Sequence, residues 1–135
     1  MKKALIASLS AGVILLILSL GLSYLAISVM PGLMEEYFSP VFRSSGKVDW
    51  MFYVHPFIVS FALKWFWERY KDQFTGPFVL RAIEVALVYG IVAMVPVLWL
   101  TFSAIDVSLQ MTLTWLGYGV LQAFVAGLIF AKLNP

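Results

Sequence analysis

Four long apolar runs are separated by short polar segments along the chain. Each is long enough to cross the roughly 30 Å hydrocarbon core of a bilayer as a helix, at a rise of about 1.5 Å per residue. They predict an all-α integral membrane protein: one transmembrane domain over residues 1–135, with spans at about 4–30, 49–70, 78–102 and 106–132. With such short connections the expected arrangement is an up-down-up-down four-helix bundle.

The second run, DWMFYVHPFIVSFALKWFWERYK, carries its own boundaries. Trp50, Phe52 and Tyr53 lie at one end and Trp65, Trp67 and Tyr70 at the other, where amphipathic rings favour the headgroup level. From Trp50 to Trp67 a helix rises about 26 Å, one crossing. Lys64 is close enough to the charged edge at Glu68, Arg69, Lys71 and Asp72 to reach it by snorkelling. Pro56 removes an amide donor and predicts a kink, or a helix that begins there.

The first run follows Met1-Lys2-Lys3 and has the outline of a signal peptide, but it exceeds a typical h-region and no lipobox cysteine follows, so an uncleaved span is expected. Pro31-Gly32 ends it, and a short interfacial helix is expected at Leu33–Phe38. Ser39-Pro40 and Ser44-Ser45-Gly46 then punctuate the longest connection. Lys71–Pro77 reads as a tight turn with Thr75 as N-cap of the third span, and Ser103 or Asp106 as N-cap of the fourth.

Small residues recur every fourth position on both later spans: Ala82, Ala86 and Gly90 on the third, Gly119, Ala123, Gly127 and Ala131 on the fourth. Such seams let helices approach closely where lipid supplies no hydrophobic drive, and Ser19-xxx-Ser23 offers a similar spacing on the first. Gln110, Thr114, Tyr118 and Gln122, four apart, form a polar stripe beside the fourth-span seam. Pro96 is expected to bend or loosen the third span.

An apolar fraction of 62% with positive mean hydropathy agrees with a membrane protein. Without Cys there is no disulfide, thiol redox chemistry, Cys-ligated zinc or iron–sulfur cluster. The net charge of +2 is small and the basic residues are scattered, which points away from nucleic acid. If the spans alternate, Lys2, Lys3, Lys64, Arg69, Lys71, Arg81 and Lys132 share one side, against Arg43 and Lys47 on the other. This bias predicts cytoplasmic N- and C-termini, in a bacterial inner membrane.

Glu84, about 9 Å into the third span, is an ionisable group at depth and so a candidate for function; Arg81, three residues earlier, is its expected ion-pair partner. His55 is a candidate proton carrier or metal ligand because imidazole titrates near neutrality, but no HxxH or HExxH spacing joins it to Glu35, Glu36, Asp49 or Asp106. Asp106 reads as a helix cap. No phosphate loop, nucleophile elbow or catalytic carboxylate pair is present, so no catalytic residue, metal or cofactor is expected.

In layout the chain is similar to small four-helix membrane families such as the MAPEG enzymes and the DoxX-like proteins. Its second span departs from the former in lacking their run of Arg, Asn and Glu, and no motif of the latter matches, so no family follows. The packing seams predict a non-catalytic subunit, accessory or assembly factor that contacts lipid and a second copy or another membrane protein. Two alternatives are an oligomeric small-solute or proton-linked transporter and a lipid- or quinone-handling enzyme.

Overall fold

The computed structural model describes residues 2–42 and 49–135. The expected Ser44-Ser45-Gly46 turn and the basic residues Arg43 and Lys47 lie outside the described residues. Helices α1 (Lys2–Val29), α2 (Pro31–Tyr37), α3 (Asp49–Tyr70), α4 (Phe78–Tyr89), α5 (Val95–Ala104) and α6 (Leu109–Leu133) follow in order, with a π-helical turn at Gly90–Met94 joining α4 to α5. Among the described residues there is no strand.

Among the described residues, three helical rods are long and apolar enough to cross a membrane: α1, the continuous rod Phe78–Ala104 and α6. The 22-residue α3 is not among them. Its His55, Pro56, Lys64 and aromatic ends, the same residues that mark an interface, lower its mean hydropathy. Pro56 sits inside α3, which begins at Asp49 and therefore not at the proline.

Contacts fix the helix directions. Ser60 Oγ donates to the Ser8 carbonyl at 2.7 Å and Gly12 lies against Phe57, so α1 and α3 are antiparallel. Gly127 lies against Ala82 and Gly119 against Met94, so α6 runs antiparallel to the third rod. Trp67 and Lys64 of α3 meet Asn134 and Phe130, which makes α3 and α6 parallel. The core gathers around α6: Ala7, Ala11 and Leu15 of α1, Leu63 and Trp67 of α3, and Val85 and Ala86 of α4 pack with Ala123, Ala126 and Phe130. Although the 71–77 loop joins α3 to α4, the two scarcely touch along their lengths, and the helices do not close into a ring.

The two small-residue seams meet each other. Ala82, Ala86 and Gly90 are buried, as are Gly119, Ala123, Gly127 and Ala131. At Gly127 an added Cβ would stand 2.9 Å from the Ala82 Cα, so the backbones touch and only glycine fits. Where lipid tails are as apolar as the helices, such close approach is what draws the pair together. Farther along, Pro96 cannot donate a helical hydrogen bond, and the preceding turn widens so that the Val95 N–H reaches the Gly90 carbonyl.

The predicted caps differ from those observed. Pro77, not Thr75, occupies the N-cap position of α4 and makes no side-chain bond; Gly76, at φ 89°, turns the chain into it. On α6 the cap is Ser108, whose Oγ accepts the Met111 N–H at 3.1 Å, while Asp106 is exposed and lies outside the helix. The acid that reaches this helix start comes from α2: Glu36 accepts the Ser108 N–H and hydroxyl, each at 2.7 Å. A carboxylate there meets the positive end of the helix dipole. Tyr37, Phe42 and Trp115 close the same end, with Trp115 Nε1 donating to the Tyr37 hydroxyl at 2.6 Å.

Candidate functional site

Besides the Ser60–Ser8 bond between α1 and α3, polar side chains at helix depth form a relay between α1 and α6 and a cationic cluster where α3, α4 and α6 meet. In the relay, Gln122 Nε2 donates to the Tyr118 hydroxyl at 2.8 Å, Tyr118 donates to Ser19 Oγ, and Ser19 donates to the Leu15 carbonyl at 2.7 Å. The direction follows from Ser19, whose single proton is committed to Leu15, which leaves its oxygen only the acceptor role. The Tyr118 and Ser19 hydroxyl protons are both used, so the relay ties α1 to α6.

The rest of the expected polar stripe is not gathered into this relay. Thr114 bonds back to the Gln110 carbonyl at 2.8 Å within its own helix, and Gln110 is exposed, touching the Met30 sulfur at 3.7 Å. His55 is exposed and makes no hydrogen bond among the described residues. No group of three His, Asp or Glu close enough to hold a metal occurs among the described residues.

The cationic cluster is built on one face of α3. Lys64 is buried, with Nζ 2.6 Å from Glu68 Oε1 and 5.1 Å from the Phe130 ring centroid. Glu68 also accepts from the Asn134 amide, and Trp67 Nε1 donates to the Asn134 carbonyl at 2.8 Å. Trp67, fully buried, stacks on Phe74 with centroids 5.8 Å apart.

Arg81 does not pair with Glu84. It reaches from α4 across to α3 and the start of the loop: its guanidinium carbon lies 4.7 Å from the Trp67 ring centroid, and Nη2 donates to the Lys71 carbonyl at 3.0 Å. A cation over an indole face is attracted by the ring quadrupole, and this holds the guanidinium where a carboxylate was expected. Its buried Nε–H has no acceptor among the described residues. Glu84 is half-buried and has no ion-pair partner among them. The sequence gives a Trp four residues before Lys71 and an Arg ten after it, but nothing local says that the loop folds them together.

Beyond this cluster the gap between α3 and α4 opens into a cleft of about 460 Å³, lined by residues that include Ala62, Leu63, Phe66, Val88, Tyr89 and Val92. Two of its lining residues, Val92 and Ala93, belong to the π-helical turn. A second, smaller groove of about 190 Å³ separates α5 from the start of α6 and runs between Leu98, Trp99, Phe102, Leu109 and Leu113. Comparison with family models, curated proteins and solved structures gives no match.

Proposed function

We propose that all four long helices cross the bilayer as an up-down-up-down bundle, with both termini cytoplasmic in a bacterial inner membrane. In that frame the protein acts as a non-catalytic subunit or assembly factor, and its contact face is the groove between α5 and α6. The alternating helix directions and the basic residues at one end support the topology.

One observation carries the functional reading: α5, ten residues long, buries a single side chain, Leu98. Trp99 is 75% exposed and Leu100 67%. Within a bilayer, apolar exposure alone means contact with lipid, but a helix separated from its neighbour by a groove forgoes the packing that stabilises membrane helices. A helix from a partner seated there supplies it. The internal polar bonds favour this reading over transport, because Ser19, Tyr118, Gln122 and Ser60 are spent on holding helices together.

Native mass spectrometry after extraction in mild detergent tests the proposal. The chain is expected to leave the membrane with a second protein or a second copy attached, and the double change Trp99→Ala plus Leu113→Ala to release it without loss of helix content. A particle of one chain, unchanged by the double substitution, would contradict it.

A further inference from the structure

We infer that the α3–α4 side is a binding site for one anionic phospholipid, whose phosphate sits against Arg81 and Lys71 and one of whose acyl chains fills the cleft. The inference shares the topology proposed above but does not depend on a partner at α5.

Charge complementarity identifies the head. Lys2, Lys3, Lys64, Arg69, Lys71, Arg81 and Lys132 lie toward this end of the helices, against the acids Glu68 and Asp72, with Glu84 one turn farther along α4. Glu68 is already engaged by Lys64 and Asn134. The Arg81 guanidinium bonds the neutral Lys71 carbonyl rather than a carboxylate, a partner that leaves its charge uncompensated, while Lys71 Nζ donates to the Pro135 oxygen at 3.0 Å. A phosphodiester is an acceptor suited to a guanidinium and an ammonium together. Basic pockets between helices on the cytoplasmic side are places where anionic headgroups bind.

The cleft identifies the tail. Its lining is apolar side chains with the Tyr89 ring among them, and it opens sideways, toward where bilayer chains lie. Val88 is seven residues beyond Arg81 on α4, a rise of about 10 Å, and Phe66 is five residues before Lys71 on α3, about 7.5 Å. An acyl chain attached to a phosphate at Arg81 therefore runs along both helices into the opening. Phe66 packs on Tyr70 and Phe74, and Phe74 on the Trp67 that carries Arg81, so one aromatic row joins the floor of the cleft to the cation. Arg81 bridges the two helices at the end where the loop joins them, and this bridge leaves the gap above it for the chain.

Trp65 lines the cleft and reports on it. The full chain is reconstituted in phosphatidylcholine vesicles containing increasing fractions of phosphatidylglycerol with brominated acyl chains, or of phosphatidylcholine brominated in the same way, and tryptophan quenching is followed. Half-maximal quenching should need about fivefold less brominated phosphatidylglycerol than phosphatidylcholine, the ratio expected when one basic residue meets a phosphodiester whose charge no choline ammonium balances. Arg81→Gln should abolish the preference and Lys71→Gln reduce it, each with parental helix content. Trp65→Phe should remove the difference between the lipids, and excess inorganic phosphate should leave it in place. Equal half-points for the two lipids in the parent overturn the inference. So does a preference that survives both Arg81→Gln and Lys71→Gln, or that persists without Trp65, while erasure by inorganic phosphate would mark a free-phosphate site instead.

Discussion

The two ends of the third rod face the same helix and treat it differently. Along α4, Ala82, Val85 and Ala86 are buried against α6, and at Gly127 the backbones are in contact. Along α5, Val95, Val97, Trp99 and Leu100 stand exposed and a groove separates the helices. Both halves are apolar, so hydrophobicity does not distinguish them. Side-chain size does: alanine and glycine bring the rods together, and the larger residues beyond the π-helical turn hold them apart. In a bilayer, where burial from water contributes nothing between helices, packing distance is the remaining source of association, and the pattern of small residues decides where it acts.

Enlarging the seam breaks the comparison most severely. Gly127→Leu would drive a side chain into the Ala82 backbone, which cannot move aside, and is expected to cost about 3 kcal/mol or more, read as a loss of thermal stability in detergent. Gly119→Leu meets the end of Met94, a flexible side chain, and should cost about 1–2 kcal/mol. Equal melting of the two variants would mean that the seam is not in backbone contact.

Truncation sharpens the comparison from the other side. Leu15→Ala, in the closed core, should cost about 3 kcal/mol, the ordinary result of leaving a cavity among packed neighbours. Leu98→Ala should cost about 1 kcal/mol, because Leu98 already borders a groove that lipid can enter. Melting temperatures of the two variants, measured in one detergent, check the ratio. A loss at Leu98 as large as that at Leu15 would show α5 to be as firmly packed as α1.

Both seams were legible in the sequence because a four-residue spacing of Ala and Gly is a property of one helix and needs no knowledge of the fold. Of the polar stripe, the sequence placed Tyr118 and Gln122 on one face, but only the position of α1 brings Ser19 to them and leaves Gln110 outside. The Arg81–Glu84 pair failed for the same reason. Helical spacing allowed it, yet the loop carries Trp67 within reach, and the indole face takes the guanidinium. Ser108 displaced Asp106 as the α6 cap because Glu36, 72 residues away in the chain, supplies the acid at that helix start. Pro96 signalled a disturbance in the third rod, but its resolution as a widened turn rather than a break depends on packing against α6.

The central claim, that α4 is closed onto its own chain while α5 is open to another, is tested most directly by cysteine scanning across the third rod. The chain has no native Cys, so each introduced thiol is unique. Leu87→Cys on α4 and Leu100→Cys on α5 are both exposed in the isolated chain, which makes accessibility alone an equal start. Treatment of intact membranes with a thiol-reactive benzophenone, followed by illumination to insert it into neighbouring C–H bonds, should give an intermolecular adduct at position 100, and also from Leu113→Cys across the groove, with none at position 87. Adducts of equal yield at 87 and 100, or at 87 alone, would contradict the account.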